Sequence, residues 1–174
     1  MAKVLFIIAQ ERFRDEELLQ PREVLKKHNI EIASQTTSTA TGMLGATIKP
    51  DLSLQDALKK IETYDAVIFV GGSGAANYFH DETTLEIARK AAESKKTKVL
   101  GAICIAPRIL ANAGVLKHKS ATTWDDSTGV QAAELKAKGA LFVQKDVVVD
   151  GKIVTACGPE AAKAFGKKIA EMLG

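Results

Sequence analysis

Three short runs in this chain, residues 3–9, 65–70 and 98–103, are apolar almost throughout rather than on alternate positions. A strand that is apolar on both faces must be covered on both faces. A parallel sheet between two helix layers does this, and a one-sided antiparallel sheet does not. The stretches between the runs carry a helical period. Residues 15–28 put Leu18, Pro21, Leu25 and His28 on one stripe, with Glu16, Arg22, Glu23 and Lys26 outside, and residues 82–94 turn Leu85, Ala88 and Ala92 inward. Strands and helices alternate without a linker, repeat or low-complexity segment. Residues 1–174 are therefore expected to form one α/β domain, a three-layer sandwich around a mainly parallel, flavodoxin-like sheet.

The remaining elements are shorter. Residues 30–34 read as a second strand, and residues 36–47, rich in Thr, Ser and Gly, as an irregular excursion or a small hairpin. Residues 54–64 read as a helix, 121–124 as a strand and 127–138 as a helix. Short strands follow at 141–144, 147–149 and 153–156, and Asp150-Gly151 joins the last two as a hairpin. Pro159 opens a closing helix with the stripe Ala162, Phe165, Ile169 and Met172. Pro21 is an anomaly inside its helix; it predicts a kink, or a start moved close to residue 20.

The run at 98–103 leads directly into Cys104, and residues 105–113 then read as a short amphipathic helix with Pro107 in its first turn. The pattern Ala102-x-Cys104-x-Ala106 supplies the small neighbours that a sharp strand-to-helix turn needs around a nucleophile. Amides at the start of that helix would lower the thiol pKa. The same spacing also suits a small buried thiol that ends a core strand. Position favours the functional reading. Sites in open α/β sheets lie at the carboxyl ends of strands, where residues 11–17, 71–74 and Cys104 all fall.

Bulk composition excludes several classes of function. The net charge is +3 and aromatics make up 5% of residues, which argues against a nucleic-acid partner. No apolar run is long enough for a membrane span or a secretory signal, so the expected setting is the cytoplasm. Two cysteines do not make a disulfide framework. His80-Asp81-Glu82 lacks metal-ligand spacing and reads as a capped helix start, and no metal or cofactor is expected. Gly72-Ser73-Gly74-Ala75-Ala76-Asn77 nearly matches a dinucleotide loop but follows a late strand and ends in asparagine.

Several motifs together resemble the ThiJ/PfpI superfamily. They are the opening KVLFIIA strand, Glu17-Leu18-Leu19-Gln20-Pro21, Tyr64-Asp65-Ala66 before Gly71-Gly72, and Ala102-Ile103-Cys104 with Pro107 and Leu110. Ala113-Gly114-Val115-Leu116 and Thr122-Thr123 complete the set. The resemblance implies a nucleophile at Cys104, a neighbouring carboxylate at Glu17, and an oxyanion hole from the N–H groups of Gly72 and Ile105. It also accounts for Pro21, since the family has a proline four residues after its site glutamate. It makes Gly71, Trp124, Pro159 and His80 possible neighbours and implies a homodimer or higher oligomer.

The chain departs from the family in two places. PfpI-type peptidases carry histidine directly after the cysteine, where this chain has Ile105; deglycase-type members have one after the Thr-Thr pair, where it has Trp124. The departures favour a small carbonyl substrate, in the manner of a glyoxalase or deglycase, or a role in oxidative-stress response. A PfpI-type peptidase or amidase and a non-catalytic redox sensor are the alternatives. Glu17 is expected to be protonated while Cys104 is a thiolate, because two adjacent negative charges would repel. Cys157 is expected to be a bystander, with a resolving thiol as the minor reading.

Overall fold

The apolar run near the N-terminus becomes the middle of the sheet. In the computed structural model, which describes residues 1–174, the chain opens with β1 (Lys3–Ile7), β2 (Glu11–Phe13), α1 (Asp15–Val24) and β3 (Asn29–Ser34). The hairpin β4 (Ala40–Gly42) and β5 (Thr47–Ile48) follows, then β6 (Leu52–Ser53), α2 (Leu54–Lys59) and β7 (Ala66–Phe69). Next come α3 (Glu82–Glu93), β8 (Val99–Ile103), α4 (Pro107–Asn112), β9 (Ser120–Ala121) and α5 (Val130–Ala137). β10 (Leu141–Phe142), β11 (Val147–Asp150), β12 (Ile153–Ala156) and α6 (Ala162–Leu173) complete the chain.

The main sheet runs β11-β12-β8-β7-β1-β3-β6. All its pairs are parallel except β11 with β12, the hairpin that Gly151 turns with φ 61°. The parallel strands β3-β1-β7-β8-β12 stand in the doubly wound order 2-1-3-4-5, as the continuous apolar runs predict. α1 packs on α6 to form one layer, while α2, α3, α4 and α5 pack neighbour to neighbour to form the other. Gly101 leaves room in β8 for Phe165 of α6, whose ring a Cβ would meet at 3.0 Å.

Several boundaries differ from the sequence reading. The helix expected over residues 54–64 ends at Lys59, and Ile61–Thr63 forms a separate 3-10 turn. α1 begins at Asp15 with Pro21 inside it and ends at Val24, earlier than the periodicity suggested. Pro21 cannot donate to the carbonyl of Glu17 four residues earlier. α6 approaches this proline at Gly166, where a Cβ would lie 2.8 Å from Pro21 Cα. The strand expected at 121–124 stops at Ala121. β9 and β10 pair with each other, apart from the main sheet, because the next amide, Thr122 N–H, donates to the Thr155 hydroxyl at 3.0 Å. The small hairpin expected within residues 36–47 forms as β4–β5, ends one residue later at Ile48, and joins β2 in a three-stranded sheet.

Candidate active site

β1, β7, β8 and β12 end at the same edge of the sheet, and the residues just beyond them build the site. Cys104 follows β8 in the left-handed region, with φ 64°. For a residue with a side chain this conformation costs on the order of 1–2 kcal/mol, and the surroundings hold it in place. The Cys104 N–H donates to the Ala156 carbonyl at 3.0 Å. The Cys104 carbonyl accepts from Trp124 N–H at 2.9 Å and from the Thr123 hydroxyl at 2.8 Å. The turn is therefore fixed from two sides, and the thiol points inward with only 8% exposure.

Gly71 explains how Glu17 reaches this thiol. A Cβ on Gly71 would lie 2.4 Å from Cys104 Cβ and 2.5 Å from Glu17 Oε2, so only glycine allows the two side chains to converge. The Gly71 N–H donates to Glu17 Oε2 at 2.9 Å. Glu17 is completely buried, and its Oε1 meets no partner in hydrogen-bond geometry. Carboxyl and thiol are close enough for each to alter the other's titration. Gly72 takes φ 102°, and a Cβ there would strike the Arg14 backbone nitrogen at 2.3 Å.

The N–H groups of Gly72 and Ile105 favour the thiolate. Neither donates to a backbone carbonyl, so both are free for a developing negative charge. Burial nevertheless outweighs them. It pushes the Cys104 thiol up to about 12, and the Glu17 carboxylate adds to the rise. Burial likewise pushes Glu17 up to about 7. Burial thus works against the acidic thiol that the helix start predicts, and it raises the carboxyl as well. The two groups titrate as a unit, and the pair loses its first proton near neutrality.

The other sequence candidates fall around this centre. Ile105 is buried and apolar, so no base follows the cysteine. Trp124 is 40% exposed, and its side chain passes Gly158, whose Cβ would lie 3.3 Å from the indole. Trp124 and Pro159 line a cleft of about 400 Å³ together with Phe142, Asp146, Cys157 and Glu160; Cys104 is not among its walls. His80 is exposed and its side chain makes no hydrogen bond, so the structure does not bring it into the site. The Cys157 thiol faces Asp146 Oδ1 at 3.7 Å; burial and that carboxylate push its pKa up. Arg14, which sequence reasoning did not single out, donates its N–H to the Gly71 carbonyl at 2.9 Å.

The comparisons with known proteins agree on the family and the fold. A protein of unknown function from Methanocaldococcus jannaschii is 37% identical over 97% of this chain and 80% of its own length. A deglycase of Pyrococcus horikoshii is 34% identical over 98% of this chain and 99% of its own. Among solved structures, a ThiJ/PfpI domain protein from Brachyspira murdochii superposes with a TM-score of 0.90 at 26% identity, covering 98% and 95% of the two chains. DJ-1beta of Drosophila melanogaster does so with a TM-score of 0.85 at 26% identity, covering 99% and 90%. The family model for DJ-1/PfpI matches residues 2–172, and the chain belongs to the DJ-1/PfpI family.

Proposed function

We propose that the protein is a cysteine-dependent enzyme acting on small carbonyl compounds, in the manner of a deglycase or glyoxalase. The observation that carries this reading is the buried Glu17 carboxyl, converging with the Cys104 thiol over Gly71 and ionising near neutrality. In the first step the Cys104 sulfur attacks a carbonyl carbon and forms a C–S bond. The π electrons move to the oxygen, which the Gly72 and Ile105 amides stabilise, and the thiol proton passes to Glu17. Glu17 then returns that proton to the oxygen, giving a neutral hemithioacetal. The deglycase names of the Pyrococcus relatives support the same class of substrate.

Peptide hydrolysis fits less well. The histidine that PfpI-type peptidases carry directly after the cysteine is Ile105 here, and the His80 side chain makes no hydrogen bond, so no imidazole stands ready to protonate an amide leaving group. The test is turnover of methylglyoxal. Wild type should consume it, and Cys104→Ser and Glu17→Gln should each lose about 100-fold or more in kcat/KM. Undiminished turnover by Cys104→Ser would refute the reading. A mass gain on Cys104 after mild peroxide, with no turnover by any form, would replace it with a redox sensor.

A further inference from the structure

The Gly72 and Ile105 amides belong to different elements, and neither lies in a strand ladder or donates to a backbone carbonyl. Regular secondary structure therefore does not fix the distance between them. Gly72 opens a 3-10 segment, Ser73–Tyr78, that ends at Phe79. Its turns are closed by the Ala75 N–H, which donates to the Gly72 carbonyl at 3.0 Å, and the Phe79 N–H, which donates to the Ala76 carbonyl at 3.2 Å. Ile105 leads into α4, where the Arg108 N–H donates to the Ile105 carbonyl at 3.1 Å. Each amide is thus tied through a short hydrogen-bonded run to a residue beyond the site, Phe79 on one side and Arg108 on the other.

Those two residues meet. The Arg108 guanidinium carbon lies 4.6 Å from the centre of the Phe79 ring. The arginine side chain is only 19% exposed, its Nε is buried without a hydrogen-bond partner, and its one ion-pair contact is Glu134 Oε2 on α5, 3.6 Å from Nη2. A pair at that distance does not account for burying a guanidinium with Nε unpaired. The face of an aromatic ring does, because its negative quadrupole attracts the cation. One turn further along α4, the Asn112 side chain donates to the Phe79 carbonyl at 2.8 Å. No other hydrogen bond joins α4 to the segment from Gly72 to Phe79. Tyr78 donates its hydroxyl to the carbonyl of Ile8, the residue after β1, at 2.9 Å. The segment is therefore held to the sheet by one residue and to α4 by the next.

We infer that Arg108 and Asn112 are positioning residues for the oxyanion hole: gripping the ring and the carbonyl of Phe79, they set the spacing of the Gly72 and Ile105 amides across Cys104. The inference rests on the role proposed above for those amides but needs no particular substrate.

The experiment compares Arg108→Met, which keeps an apolar stem and loses the cation, with Asn112→Leu, which keeps the bulk and loses the donor. Each should lower kcat for methylglyoxal about 10-fold and leave KM unchanged, because oxyanion stabilisation acts in the transition state. Arg108→Lys restores a cation over the ring and should recover more than half of the loss on a logarithmic scale. In Phe79→Leu, which has no ring to hold, Arg108→Met should change nothing further. Alkylation of Cys104 by iodoacetamide at pH 8, read by peptide mass spectrometry, supplies a measurement that needs no turnover. The two amides favour the thiolate, so both variants should slow it about threefold or more, with Cys157 in the same sample unaffected. A merely loosened fold would instead expose the buried thiol and speed its labelling. Cys104 labelling that is unchanged or faster overturns the inference. So does a full Arg108→Met effect in the Phe79→Leu background, or an Arg108→Lys no better than Arg108→Met. If labelling slows as expected but no form consumes methylglyoxal, the positioning role stands and the proposed reaction fails.

Discussion

Replacing Glu17 by glutamine should make the protein more stable at alkaline pH while abolishing its chemistry. A free glutamate titrates at 4.5, and burial raises Glu17 to about 7. Between these values the native state still holds a proton that the unfolded chain has released. Stability must therefore fall as pH rises through this window. At about 1.4 kcal/mol per pKa unit, the ionised carboxylate costs the native state about 3 kcal/mol above neutrality. Glutamine has nearly the same shape and can still accept the Gly71 N–H through its amide oxygen, but it has no charge to bury. Urea denaturation of both forms at pH 4.5 and pH 8 isolates the effect, because every other titrating group is common to the two. The advantage of Glu17→Gln should grow by about 3 kcal/mol between these pH values. For a chain of this size that corresponds to a relative rise in Tm of about 6–12 °C. Parallel pH dependence in the two proteins would refute the reasoning and return Glu17 to an ordinary solvated carboxylate.

Gly71→Ala forces a Cβ to within 2.4 Å of Cys104 Cβ and should cost about 1–3 kcal/mol along with turnover; wild-type stability in denaturant would contradict the packing described. Cys104 should be alkylated with a midpoint near neutrality, where the Glu17–Cys104 pair loses its first proton. Cys157, raised by burial and by Asp146, should react only at higher pH, and preferential labelling of Cys157 at pH 7 would sink that distinction. The protein is expected to sediment as a homodimer or larger, and a mass of 18.6 kDa at micromolar concentration would contradict this.

The parallel sheet was legible in the sequence because β1, β7 and β8 lack the alternation that a solvated face imposes. The convergence at the strand ends was legible through the Gly71-Gly72 and Cys104 turns. The burial of Glu17 was less so. Periodicity sets Leu18 inward and Glu16 outward, but residue 17 is drawn in by a glycine more than fifty positions away. The sign of the thiol shift was also hidden, since the helix amides show in the sequence but the desolvation that overcomes them arises only from packing. Arg14 left no signal because its tie to the Gly71 turn runs through a backbone N–H, which forms no motif. The 121–124 strand was overextended because Thr122 and Thr123 carry β-formers' side chains but spend their bonds on Thr155 and the elbow.

The bonds that hold Cys104 at φ 64° also impose an order on biosynthesis. They come from Thr123 and Trp124, about twenty residues downstream, and from Ala156, about fifty residues downstream. A chain emerging from the ribosome makes β8 and α4 long before it can form these contacts, and until then nothing offsets the cost of the left-handed turn. During that interval the thiol lacks both the burial and the approach to Glu17 that it has in the folded chain. The elbow geometry is thus completed by the last third of the chain, and a product truncated before β12 would carry the cysteine without it.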